Sequence, residues 1–155
     1  MKSNRIKFYM DIAERTAQES KARRLQVGSV VVKDDQIIAT GCNGTFPGHD
    51  NNCEHEQWDR SKEELILTTK KEVYHSEENA ILRIARSTES ALGSAMFTTH
   101  SCCLNCAKMI AGSGISEFYY KNKYRDDSGI AFLNSAGVKV CQVDEEGKIL
   151  DGRME

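Results

Sequence analysis

Two short segments constrain this chain more than anything else in it: Tyr74-His75-Ser76-Glu77-Glu78-Asn79-Ala80 and Ser101-Cys102-Cys103-Leu104-Asn105-Cys106. Each opens a run of helical spacing. After the first, Ile81, Leu82, Ile84 and Ala85 recur at helical intervals; after the second, Cys106, Ala107 and Ile110 share a face, and Gly112 and Gly114 supply a stop signal. His75 and Glu77 therefore belong to the first turn of one helix, and Cys103 opens another. Two such helix starts facing each other offer one imidazole and two thiolates, His75, Cys103 and Cys106, to a single Zn2+ ion. The fourth tetrahedral position stays free for water, which makes the expected zinc catalytic. The positive ends of both helices favour thiolates at the same point.

A lone Cys-x-x-Cys can be a redox pair or half of a structural zinc site, and a lone His is more often a packed core residue. Here order, spacing and helix-start context agree on a metal site. His-x-Glu followed by Cys-x-x-Cys is also the signature of zinc nucleobase deaminases. Glu77 is then the expected catalytic residue, a carboxylate beside zinc-activated water that takes its proton and delivers protons to the substrate's ring nitrogen and the departing amine.

The rest of the chain reads as scaffold and pocket. Its 155 residues fit one domain, 1–155, with the charged stretch 144–155 as a loose tail. A hydrophobic content of 39% and a formal charge of −2 describe a soluble globule, and the near-neutral balance argues against a polynucleotide partner. No apolar run approaches membrane-spanning length and no signal-peptide core is present, so no membrane partner is expected. Six unevenly spaced cysteines fit a reducing cytoplasm better than a disulfide framework.

Phe8, Ile12, Ala13 and Ala17 predict a first helix ending near Ala22. Residues 27–32 and 37–41 read as strands around the tight turn Lys33-Asp34-Asp35-Gln36. Residues 45–68, with the only proline, read as a long irregular stretch with a short helix at 56–60. Strands follow at 95–99, 118–120 and 138–143, with a helix at 129–136. The coarse order is βββαβαβ behind a first helix, a layered α/β domain.

With those residues in view, the chain resembles the deoxycytidylate (dCMP) deaminases of the cytidine deaminase superfamily. The ordered matches are Ser20-Lys21, Gln26-Val27-Gly28, Gly41-Cys42-Asn43-Gly44-Thr45, His75-Ser76-Glu77-Glu78-Asn79-Ala80-Ile81, Cys103-Leu104-Asn105-Cys106-Ala107-Lys108 and Tyr124-Arg125-Asp126-Asp127-Ser128-Gly129. Cys42 stands where the family usually has tyrosine, and Cys102 where it usually has proline. The resemblance implies a three-layer α/β/α fold with a mixed five-stranded central sheet. It also implies a catalytic zinc and hydrolysis of dCMP to dUMP and ammonia, feeding thymidylate synthesis. Activation by dCTP with Mg2+, inhibition by dTTP and a homo-oligomer, commonly a hexamer, are further implications.

By the same resemblance Asn43 contacts the sugar, although beside Gly44 it also reads as a turn residue. Ser20, Lys21 and Arg24 offer hydroxyl and cationic donors to the phosphate, and Tyr120 or Tyr124 could pack against base or phosphate. Cys42, His49, Cys53 and His55 have side chains that suit a second metal, but their spacing favours a single zinc. Two rival readings stand beside this one. The same chemistry could act on cytidine, a modified dCMP or a tRNA adenosine. A non-catalytic nucleotide-binding module could keep zinc as a staple, but it would have no use for Glu77.

Overall fold

The computed structural model describes residues 1–150. In chain order its elements are α1 (Ser3–Ala17), β1 (Gly28–Lys33), β2 (Gln36–Cys42), β3 (Glu54–Asp59), β4 (Glu64–Thr69), α2 (Ser76–Ala85), β5 (Ala95–His100), α3 (Leu104–Gly112), β6 (Glu117–Asn122), α4 (Ser128–Ser135) and β7 (Lys139–Gln142). Five strands form one mixed sheet in the order β2-β1-β5-β6-β7, and β3 and β4 form a separate two-stranded sheet. In the main sheet β1 is antiparallel to both β2 and β5, whereas β5, β6 and β7 run parallel.

Alternation along β1 sorts the chain into three layers. Val30 and Val32 face α1 with Phe97 and Tyr119, while Val31 faces the helices α2, α3 and α4 with Met96 and Phe118. The result is the expected α/β/α architecture around a five-stranded sheet. The β1–β2 turn carries Asp34 and Asp35 at φ 50° and 59°, the left-handed pair that a two-residue hairpin loop requires. Tyr9 of α1 donates its hydroxyl to Asp35 Oδ1 at 2.5 Å, and Arg5 donates to the same oxygen at 2.9 Å, so the helix is tied to the turn.

Four expectations from the sequence need correction. The first helix buries Ile6, Tyr9, Met10, Ala13 and Ala17, leaves Phe8 46% exposed, and ends at Ala17. It stops there because the chain turns away at Ser20, whose hydroxyl donates to Asn43 O and accepts Ala22 N–H. Residues 54–69 are no irregular stretch and hold no helix at 56–60: β3 and β4 pair antiparallel with Trp58 opposite Leu65 and Glu56 opposite Leu67. The run Leu65-Ile66-Leu67-Thr68-Thr69 suits a strand, and pairing satisfies backbone groups that an isolated helical turn would leave open. The order behind α1 is therefore ββββαβαβαβ rather than βββαβαβ, because the hairpin adds strands and α2 stands between β4 and β5. Finally, residues 144–150 form an ordered turn, in which Asp144 N–H bonds Lys148 O, Val143 bridges Ile149 and Leu150 N–H bonds Gln142 O. The rest of the expected tail lies outside the described residues. Among those residues no helix is long and apolar enough to cross a membrane.

Two glycines set how closely helices seat on the sheet. A Cβ on Gly28 would lie 2.0 Å from Ala13 O and 2.5 Å from Ala17 N, and one on Gly41 would lie 2.3 Å from Ser76 O and 2.6 Å from Ala80 N. Helix backbone thus rests directly on strand backbone at both points. Gly28→Ala should destabilise the protein by about 2 kcal/mol through overpacking, read as a lowered urea midpoint. Gly44→Ala, where a new Cβ meets nothing within 4 Å, should stay within about 0.5 kcal/mol of the parent. Equal midpoints for the two variants would contradict this packing.

Candidate functional site

The sheet gathers several strand ends at one edge. Gly28 at the start of β1 pairs with Cys42 at the end of β2, Ser29 pairs with Thr98 near the end of β5, and His100 pairs with Asn122 at the end of β6. Residues just past these ends, Val27, Asn43, Ser101 and Lys123, line one cavity of ≈ 480 Å³. The two helix starts reach the same edge. Gly44 and Tyr74 exchange backbone hydrogen bonds of 3.1 and 2.8 Å, which places His75 as the N-cap of α2, and Glu78 Oε1 accepts the His75 N–H at 3.1 Å. Strand β5 delivers Cys103 as the N-cap of α3, with Ser101 N–H bonded to Asn122 O.

His75 Nδ1 lies 3.5 Å from Cys103 Sγ and 3.3 Å from Cys106 Sγ, and the three donor atoms all lie within 4.8 Å of one another. Sulfur and nitrogen sharing one tetrahedral zinc stand about 3.6 Å apart, so the spacing fits that ion. The charge state fits as well. A hydrogen bond from Cys106, reinforced by His75, pulls the Cys103 thiol down to about 4 against the effect of burial. Its partner bond to Cys103 pushes His75 up to about 9, and the bond to Cys103 together with burial pushes Cys106 far up. Cys102 turns the other way: it is 1% exposed, belongs to the core beneath α2 and α3, and burial raises its thiol. Cys42, His49, Cys53 and His55 form no metal-sized group among the described residues.

Glu77 lines the same cavity as His75 and Cys103 while its own exposure is only 4%. Burial pushes its carboxyl above the ordinary range, opposed by its own backbone, His75 and the Ser76 hydroxyl, which donates to Oε2 at 3.0 Å. A buried carboxyl with a raised pKa can hold and release a proton within one reaction cycle.

The other expected site residues divide. Asn43, Arg24 and Tyr124 line the cavity. Asn43 also holds the loop before β1, since Oδ1 accepts Val27 N–H at 2.9 Å and Nδ2 donates to Leu25 O at 2.8 Å. Arg24 donates to Thr69 Oγ1 of the hairpin at 3.1 Å. Ser20 is 4% exposed and staples the loop, and neither it nor the exposed Lys21 lines the cavity. Tyr120 is buried beside Phe118 in the core, also away from the lining. Sequence reasoning missed Lys123, Arg125 and His100, which do line it. The cations flanking Tyr124 were visible as a basic run, but only the register of β5 with β6 turns that run toward the site. His100 Nδ1 pairs with Thr99 Oγ1 at 2.9 Å, and burial lowers its pKa, so it is neutral near pH 7.

Residues 3–122 match the family model described as the cytidine and deoxycytidylate deaminase zinc-binding region. The chain is 32% identical to the deoxycytidylate deaminase of Saccharomyces cerevisiae over 87% of its own length, spanning 43% of that longer protein. It is 33% identical to the deoxycytidylate deaminase of Enterobacteria phage T4, covering 86% of this chain and 87% of the phage protein. The dCMP deaminase of cyanophage S-TIM5, solved in complex with dCMP and dUMP, superposes with a TM-score of 0.82 at 40% identity over 92% of this chain and 99% of that one.

The proton inventory of the site can be counted. Zinc uptake by metal-free protein at pH 7 should release about two protons from the His75, Cys103 and Cys106 cluster, because their mutual hydrogen bonds pull the Cys103 thiol down while raising His75 and Cys106. Calorimetry in buffers of different ionisation enthalpy reads that number; a net release of about one proton or fewer would contradict the assignment.

Proposed function

The chain belongs to the cytidine and deoxycytidylate deaminases, and on that premise we propose that it acts as a single deaminase domain hydrolysing dCMP to dUMP and ammonia. One observation carries the reading: a single cavity is lined by the metal ligands His75 and Cys103, the buried carboxyl of Glu77, and the cations Arg24, Lys123 and Arg125. The dCMP and dUMP bound to the similar cyanophage enzyme support the same substrate.

His75, Cys103 and Cys106 would hold a zinc ion, whose Lewis acidity would make a water nucleophilic near neutral pH. Glu77, in the cavity lining, is placed to take a proton from the attacking water and to deliver protons to N3 of cytosine and to the departing amine. A C4–O bond forms, the C4–N bond breaks, and ammonia leaves. Arg24, Lys123 and Arg125 offer charge-assisted hydrogen bonds to the phosphate, and the ring of Tyr124 packs beside them. Asn43 keeps a second N–H and a second lone pair for the sugar. Ser20 serves by holding the loop that carries Arg24, and Lys21 adds positive charge outside the cavity.

The reading extends to assembly, regulation and setting. The hairpin β3–β4 exposes Trp58 at 58% and its cross-strand partner Leu65 at 49%, and a two-stranded hairpin is marginal in water. Burial of that pair supports a homo-oligomer, for which the family resemblance suggests a hexamer. The same resemblance suggests dCTP with Mg2+ as activator and dTTP as inhibitor, which turnover with and without dCTP tests. Six unevenly spaced cysteines, two of them placed as metal ligands, suit a reducing cytoplasm.

Glu77→Gln should keep its zinc and lose at least about a hundredfold in kcat. Lys123→Ala and Arg125→Ala should each raise KM for dCMP about tenfold while leaving deoxycytidine turnover unchanged. A parent enzyme that prefers deoxycytidine to dCMP would sink the phosphate assignment.

A further inference from the structure

Ser29 is a polar residue just before the apolar run Val30-Val31-Val32 of β1, and Ser76 fills the variable position of His75-x-Glu77. Both are fully buried, at 0% exposure. Their hydroxyl oxygens stand 2.6 Å apart, and Ser76 Oγ stands 3.0 Å from Glu77 Oε2. Ser76 Oγ donates to Oε2, which commits its single proton. Ser76 can then only accept from Ser29. The direction of the chain is fixed: Ser29 Oγ–H to Ser76 Oγ–H to Glu77 Oε2.

We propose that Ser29 and Ser76 are positioning residues for Glu77, a buried hydroxyl relay that holds Oε2 as a standing acceptor and leaves Oε1 to carry the catalytic proton. This rests on the acid/base reading of Glu77 given above. The backbone supports the relay at the same register. Ser29 lies directly opposite Gly41, so both point at the first turn of α2. Gly41 lets the Ser76 carbonyl and the Ala80 amide approach the strand, and Ser29 grips the Ser76 side chain beside them. The carboxylate's rotamer is thereby held by Ser76 of its own helix, which Ser29 in turn anchors to the sheet. A carboxyl free to turn would present either oxygen to the substrate, and mispositioning of this kind lowers kcat more than it weakens binding.

The test compares Ser76→Ala, Ser29→Ala and Glu77→Gln with the parent in dCMP turnover, zinc content and thermal midpoint. Ser76→Ala should lower kcat about tenfold, the scale of one hydrogen bond to a charged group, with KM for dCMP and zinc content unchanged. Ser29→Ala, which touches neither the cavity nor the carboxyl, should lower kcat about threefold with the same KM. In a Glu77→Gln background, Ser76→Ala should have no further effect on residual turnover, because the group it orients has lost its function. Ser76→Ala within twofold of the parent kcat, or a loss of equal size in both backgrounds, would overturn the relay while Glu77→Gln remains inactive. Full turnover by Glu77→Gln would instead overturn the acid/base reading, and the relay with it.

Discussion

The whole arrangement depends on bringing three donor atoms from two distant segments to within about the width of one ion. His75 Nδ1 stands 3.5 Å from Cys103 Sγ and 3.3 Å from Cys106 Sγ, with all three atoms within 4.8 Å, only because α2 and α3 begin at the same edge of the sheet. Sheet order makes that possible. Since β5 runs antiparallel to β1 and parallel to β6, the start of β1 and the ends of β2, β5 and β6 share one edge. Gly41 then sets the depth at which α2 lands.

The electrostatics follow from that convergence. Helix N-termini favour the thiolates that a metal requires, and proximity of the ligands already holds one of them ionised. Burial acts on Glu77 in the opposite sense and holds its proton more tightly. The same edge receives Lys123 and Arg125 from the loop after β6 and Arg24 from the loop after α1. The cavity thus sets a buried carboxyl beside several cations able to bind an anionic group.

Much of this was legible in the sequence because the site lies where local rules are strongest. His75, Glu77, Cys103 and Cys106 sit at helix starts, and their spacing alone placed them correctly relative to those helices. The hairpin 54–69 was not legible: Glu54, Glu56 and Asp59 break the apolar alternation in β3, and both faces of much of the pair are exposed. Tyr120 and Tyr124 could not be told apart without the point where β6 ends, since one more strand residue changes the face a side chain occupies. Ser20 read as a phosphate donor because a hydroxyl beside cations suits that role; its burial and its bond to Asn43 O give it a structural one. Nothing in the strand expected over 27–32 singled out Ser29, because only tertiary contact with Ser76 gives its hydroxyl a purpose.

The central claim is an open three-ligand metal site facing Glu77, and X-ray absorption at the zinc edge of the loaded protein tests it most directly. The expected shell is two sulfurs near 2.3 Å and one imidazole nitrogen near 2.0 Å, completed by one exchangeable light atom. A shell closed by a third sulfur or a second imidazole would make the zinc structural and contradict the account.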